Sequence, residues 1–474
     1  MNTHQSAIGR ALLAAAGALL LSACAAGPDY LAPRAAMPAA FPHAAANKGA
    51  PPAFDAWWSA FHDPALDRII ERALAQNLDL AAALARVDQA RAVARLAGAK
   101  LLPSLGANAS VAAQRQSTES PLGALAGSQP GYERNVTLYA GGVGASWEID
   151  LAGGLQRALE ADSAEAQAAE ADRLGVRVSV AAEAADTYFR VRGAQARIAL
   201  AEAEIETDAG LLALVNMRLG EGIGSRREQA QAEARLAQVR ATIPPLRAER
   251  DMQLNRLDVL MGAHPGSYAQ ELAAPAAIGA APPLSGVLRP EDLLRRRPDV
   301  IAAERRLAAT SARIGVAAAE YYPKLSLSAL LGFESLRSAT PSAASFQPQA
   351  LAGIRWRLFD FGRVDAEVAR AKGANAEALA RYRLSMLRAT EDVENALVMA
   401  IELQAARKEL TDEVDASARA RDAAREAYLG GAVSLIEELE QDRQLLAARD
   451  QLSQADTDSN RALVATFRAL GGGW

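Results

Sequence analysis

The 474-residue chain is long enough for two or three ordinary domains or for one elongated body. Half of it is hydrophobic, but alanine dominates that half and aromatics are only 5%, a composition that favours long, closely packed helices over a deep globular interior. A formal charge of −5 without blocks of like charge argues against a nucleic-acid partner, and a single cysteine excludes intrachain disulfides and Cys-rich structural metal sites.

At the N-terminus, Arg10 precedes an apolar run from Ala11 to Leu21, too short to span a bilayer and the right size for a signal-peptide core. The run ends in Leu21-Ser22-Ala23-Cys24, which resembles the bacterial lipobox. Residues 1–23 then read as a lipoprotein signal peptide and 24–62 as an extended segment anchored by lipid on Cys24. Ala26, two places on, fits sorting to the outer membrane. After Cys24 no stretch reaches eighteen apolar residues, so a membrane crossing would need β-strands in a closed barrel.

A first repeat spans 63–263. Asp63-Pro64 offers an N-cap and a proline at the first helical position, for a helix running to about Lys100. Strands follow at about 103–115 and 135–151. Leu105, Ala107, Ala109 and Val111 alternate with Ser104, Gly106, Asn108 and Ser110, and Val143, Ala145, Trp147 and Ile149 share a face of the second. A helix over about 154–219, roughly 100 Å long, carries a coiled-coil seam of Ile198, Ala201, Ile205, Asp208, Leu212, Val215 and Leu219, with one polar interruption. Residues 264–289, rich in Ala, Pro and Gly, form a connector.

The second repeat, 290–474, follows the same plan, with strands at about 323–336 and 350–361 and a long helix at about 362–429. Leu101-Leu102-Pro103 recurs as Tyr321-Tyr322-Pro323, Trp147 as Trp356, and Met261-Gly262 as Leu470-Gly471. Alternation alone fits soluble hairpins with one wet face as well as membrane strands; the lipobox and the long helices favour the membrane. Four strands cannot close a barrel, so several chains must share one, and three chains would supply twelve strands.

The four histidines are isolated, no phosphate-binding loop appears, and Gly141-Gly142-Val143-Gly144 lies inside a strand pattern. No enzyme is expected. The alternative from another class is a periplasmic coiled-coil adaptor or scaffold lipoprotein without a pore, though such proteins usually carry one helical hairpin and this chain has two.

Several segments together resemble the TolC-like outer-membrane efflux family, in its lipoprotein branch of OprM or NodT type. They are Cys24-Ala25-Ala26-Gly27-Pro28-Asp29-Tyr30, Trp57-Trp58, Asp63-Pro64, Asn77-Leu78-Asp79-Leu80, Leu293-Leu294-Arg295-Arg296-Arg297-Pro298-Asp299-Val300, Phe359-Asp360-Phe361-Gly362-Arg363 and Leu470-Gly471-Gly472-Gly473-Trp474. The resemblance implies a mainly α fold with a small membrane β-barrel contribution: a homotrimer with a twelve-stranded barrel on an α-helical, coiled-coil tunnel. It implies a passive exit duct for drugs or other small molecules, lipid-anchored in the outer membrane and extending into the periplasm. Partners would be a periplasmic adaptor and an inner-membrane pump, usually proton-driven, with no cofactor and no metal.

Each long helix ends in a glycine-bearing turn, Gly220-Glu221-Gly222-Ile223-Gly224-Ser225 and Gly430-Gly431-Ala432-Val433-Ser434. By the resemblance, Gly220, Gly222, Ile223, Gly430, Gly431 and Val433 belong to tips that meet the adaptor. Glu437 and Glu440, three apart on one helix face, and Glu228 match acidic positions around the closed pore mouth. Val433 stands where relatives often carry a charged latch residue, and Arg226 and Arg227 are the cations that could serve instead.

Overall fold

The computed structural model describes residues 25–34, 37–43, 54–279, 281–282 and 289–474. The signal-peptide segment, Cys24 and parts of the N-terminal segment and of the connector lie outside the described residues. The principal elements are helices α1 (Pro64–Gln76) and α2 (Leu78–Ala99), strands β1 (Ser104–Arg115) and β2 (Asn135–Ile149), then helices α3 (Gly154–Gly220), α4 (Arg226–Leu260) and α5 (Pro298–Ala319). They continue with strands β3 (Lys324–Ser335) and β4 (Phe346–Arg355) and helices α6 (Arg363–Leu429) and α7 (Leu435–Ala469). The two long helices are 67 residues each and the two returning helices 35 each, so the two helix hairpins are built to one length. No helix among the described residues is long and apolar enough to cross a membrane.

The chain divides into two compact units. One comprises Met1–Pro33, Asp88–Ala168 and Glu304–Arg381; the other comprises Arg34–Val87, Ala169–Ala303 and Tyr382–Trp474.

The first unit holds a four-stranded antiparallel sheet in the order β1-β2-β3-β4. Its register gathers the apolar residues on one side: Leu105 pairs with Ala145, Ala145 with Ala329 and Ala329 with Ala350, while Ala107 pairs with Val143 and Val143 with Leu331. The other side carries rows such as Ser104, Ser146 and Ser328, with Val136, Leu138, Leu330 and Leu351 among its apolar exceptions. A one-residue slip would exchange the two faces, so the pattern fixes the register. The Trp147 indole donates to the Leu101 carbonyl at 2.8 Å, and the Trp356 indole to the Tyr321 carbonyl at 3.0 Å. The two tryptophans therefore do the same job in the two halves. Beside β2, the Ala26 N–H donates to the Ala152 carbonyl at 2.8 Å and Arg157 donates to Asp29 at 2.5 Å, which fastens the chain just after Cys24 to the first turn of α3.

The second unit has an aromatic core in which Trp57 stacks on Phe467 at 5.1 Å and Phe61 meets Phe189 at 5.0 Å. Duplication shows here too. A Cβ on Gly262 would meet the Gln76 carbonyl at 2.5 Å, and one on Gly471 the Arg296 carbonyl at 2.7 Å, so each repeat closes with a glycine pressed on the end of a helix, α1 at Gln76 in the first and the short helix Leu293–Arg296 in the second.

Two expected elements differ from what is seen, and one loop holds a helix of its own. The helix expected to run unbroken from Asp63 to Lys100 is interrupted at Asn77, which is extended at ψ 129°. There the Leu80 N–H donates to Asn77 Oδ1 at 3.1 Å while Asn77 Nδ2 donates to the Leu260 carbonyl at 3.0 Å. The strand expected at about 350–361 is Phe346–Arg355: its N-terminal half pairs with the far end of β3, and the chain leaves the ladder before Trp356. The loop after β1 contains a short helix, Pro121–Ala126, capped by Ser120.

Candidate functional site

The tips of the two helix hairpins gather most of the sequence-selected residues, and all of them belong to the second unit. In the first tip, the Ile223 and Gly224 N–H groups both donate to the Arg218 carbonyl, at 3.0 and 2.9 Å, closing off the end of α3. The second tip repeats the device, with the Ala432 N–H on the Ala427 carbonyl at 2.8 Å. Gly222 and Gly431 sit at φ +77° and +76°, the left-handed region that such turns demand. A Cβ on either would meet nothing within 4 Å, so both face open space, as does helical Gly220. Gly430 is exposed as well.

The hydrophobes of the two tips behave differently. Ile223 is 66% exposed. Val433 packs against the small core of Leu211, Val215, Ala232, Tyr428 and Leu435 that joins the two hairpins. Above that core Arg218 lies over the Tyr428 ring, 5.0 Å from its centroid.

The acidic candidates separate likewise. Glu228 is engaged locally: its Oε2 accepts from the Ser225 N–H at 2.8 Å while its own N–H donates to Ser225 Oγ at 3.2 Å, a complete capping box. Ser434 makes no such cap for α7; its hydroxyl donates to Glu437 at 3.3 Å. Glu437 is exposed and has no cationic partner among the described residues. Glu440 accepts from Arg443 at 2.7 and 3.0 Å, and this bond, followed by that from Gln444, holds its carboxyl below the usual carboxylate range. Arg226 and Arg227 are exposed and form no ion pair among the described residues.

Sequence reasoning passed over the most buried polar group of this region. Glu204 and Asp208 on α3, Arg235 on α4, and Glu438 and Asp442 on α7 are all buried. Arg235 Nη2 lies 2.9 Å from Glu204 Oε1 and its Nε 3.4 Å from Asp208 Oδ2. Burial, and after it the charge of Asp442, pushes Glu204 and Glu438 each up to about 7; burial pushes Asp208 to about 6. A signal was available. Two acidic pairs spaced four apart lie on buried stripes, and only Asp208 stood out as an interruption.

A family profile described as outer membrane efflux protein matches residues 69–263 and 290–472. The chain is similar to the pyoverdine export outer membrane protein OpmQ of Pseudomonas aeruginosa, 33% identical over 456 residues covering 96% of this chain and 95% of that one. It is similar to nodulation protein T of Rhizobium leguminosarum bv. trifolii, 29% identical over 96% of both chains. Among solved structures, the outer-membrane channel OprN superposes with a TM-score of 0.86 at 34% identity, over 95% of this chain and 100% of that one. With the duplicated hairpins and the amphipathic sheet, these likenesses fix what the molecule is: the chain belongs to the outer membrane efflux protein family and is an outer-membrane efflux channel of mainly helical fold.

Proposed function

We propose that three copies of this chain close a twelve-stranded barrel above a helical tunnel. The assembly would serve as the passive exit duct of a tripartite pump, with a periplasmic adaptor at the hairpin tips and an inner-membrane transporter, proton-driven in this branch, supplying the energy. One observation carries the reading. The sheet has four strands with one apolar face, and among the described residues the outer edges of β1 and β4 have no partner. Unpaired backbone is not tolerated in lipid, and β1 of one protomer pairing with β4 of the next removes every edge. The exposed aromatics Trp147, Tyr321, Tyr322, Trp356, Phe359 and Phe361, at the ends of the strands that lead to the helices, suit the lipid–water boundary. Acylation of Cys24 after removal of residues 1–23 fits the same boundary, because Ala26 is bonded beside the end of β2.

The seam is testable with cysteine pairs, since Cys24 is the sole native cysteine. One member is placed in β1 at Ala107, Ala109 or Val111 and the other in β4 at Ala350 or Ala352. Oxidation in outer membranes should give covalent trimers that survive boiling in detergent. A mature protein that stays a water-soluble monomer, with no cross-linked species at any pair, overturns the proposal.

A further inference from the structure

The seams of α3, α4 and α7 should be apolar where they meet, and at one level they are not. On α7 the buried stripe reads Leu435, Glu438, Asp442, Leu445; on α4 it includes Ala232, Arg235 and Val239; on α3, Glu204 and Asp208 take the places between Ala201 and Leu211. Exposure there is 6% for Glu204, 2% for Asp208, 3% for Glu438, 2% for Asp442 and 7% for Arg235. One oxygen from each of Glu204, Asp208 and Asp442 lies within 4.8 Å of the other two. Isolated buried carboxylates are among the most expensive groups a fold can hold, and crowding three of them multiplies the cost.

The cations present do not answer that charge. Arg235 bonds Glu204 and approaches Asp208 without hydrogen-bond geometry. Arg421 of α6 stands 3.5 Å from Asp442 Oδ1, and Arg425 of the same helix, exposed, acts on Glu438 only through its charge. A second observation points to a ligand. Both oxygens of Asp208, Oδ2 of Asp442 and Oε2 of Glu438 are buried and receive no hydrogen bond from an N–H or hydroxyl donor among the described residues, and the Asp442 carboxyl lies close enough to those of Glu204 and Asp208 to share a proton with them. Glu438 lies outside the triad, one helical turn before Asp442 on the same stripe. Asp208, more than nine-tenths buried and with no donor on either oxygen, thus brings an uncapped acceptor within 4.8 Å of an oxygen of Glu204 and one of Asp442.

We propose that Glu204, Asp208 and Asp442, with Glu438 at the rim, form a divalent cation site that fastens the two helix hairpins to each other behind their tips. An all-oxygen donor set selects a hard ion such as Ca²⁺, Mn²⁺ or Mg²⁺ over Zn²⁺ or Cu²⁺. Separations up to 4.8 Å suit an ion bonding oxygen at about 2.3–2.6 Å, with small side-chain movement. Its charge offsets the excess of the four carboxylates over Arg235, Arg421 and Arg425. The site is distinct from the exposed Glu437 and Glu440, which point elsewhere on α7 and are not part of the triad.

The test titrates Mn²⁺ into the purified full-length mature protein in detergent at pH 7.5, after treatment with a chelator, and reads free Mn²⁺ by electron paramagnetic resonance. One tight site per protomer is expected, displaced by excess Ca²⁺. D208N should weaken it at least tenfold, and a drop to pH 5.5 should weaken the wild type because the ligands must be deprotonated. The double variant E437Q with E440Q should bind as the wild type does. Removing a buried charge should not prevent folding, but if D208N fails to assemble, D442N supplies the same comparison. Absence of a tight site in the wild type, equal affinity in wild type and D208N, or loss of the site in the E437Q/E440Q variant each overturns the proposal.

Discussion

Asp208 shows how a single position can be read correctly as polar and still be misjudged. Periodicity placed it on the α3 seam, and the seam is buried. What periodicity could not supply was the neighbours, because Arg235 arrives from the returning helix α4 and Asp442 from the other hairpin. The consequence for pH follows from the direction of the shifts. Unfolded carboxyls titrate near 4, whereas Glu204 and Glu438 sit at about 7 and Asp208 at about 6, raised chiefly by burial. Without a bound cation the folded state therefore keeps protons that the unfolded chain releases. Stability from these groups is complete below about pH 4 and is lost as pH rises through the folded values. In the presence of a chelator, amide-exchange protection of the segments around Leu211–Ala232 and Leu435–Leu445, corrected for intrinsic rates, should fall between pH 5.5 and 8. The double variant E204Q with E438Q should flatten that slope; an equal slope in both proteins would remove these carboxyls from the account.

The helix-hairpin turns are the elements in which sequence carried the most structural information. Glycine at positive φ, with the next N–H groups returned to the helix end, is a local code, and both turns lie on their glycines. Elements whose limits depend on a partner were less legible. β4 begins at Phe346 because β3 reaches Ser335, although Gln347, Pro348 and Gln349 look like loop. The break at Asn77 is likewise fixed from outside, by the Leu260 carbonyl. The turns also yield a prediction about docking. Gly222 and Gly431 face open space, so aspartate at either costs about 1–2 kcal/mol of backbone strain without a clash. It adds a charge that a partner surface would have to desolvate. G222D and G431D should both insert and form trimers yet lose co-purification with the adaptor and lose export. The effect should be larger at Gly222, beside exposed Ile223, than at Gly431, whose neighbour Val433 is turned into the hairpin core. Undiminished co-purification and export in both variants would mean that the tips are not the docking surface.

At the scale of the whole molecule, fold class was readable because it rests on long-range regularities, namely two copies, two long helices and strands too few to close alone, while the family was readable from the order and number of short motifs such as Cys24–Tyr30 and Leu293–Val300. The gate was not readable to the same degree, since a carboxylate's role in a threefold mouth depends on what else it binds. Glu228 is occupied as a helix cap and Glu440 by Arg443, which leaves Glu437 as the candidate acid with no cationic partner among the described residues. In the proposed trimer three copies of Glu437 around one axis would concentrate negative potential, and cations would be favoured there at low salt, where screening is weak. Wild-type channels in a planar bilayer under a KCl gradient should therefore show a cation-selective reversal potential. E437Q should move that potential markedly toward zero, E440Q should move it little, and R443A should increase selectivity by freeing Glu440. All three differences should shrink as the salt on both sides is raised toward 1 M, where the screening length is about 3 Å. If E437Q leaves the reversal potential where it was at low salt, the Glu437 carboxylates do not line the conducting path, and the acidic tip of α7 is a solvated helix end.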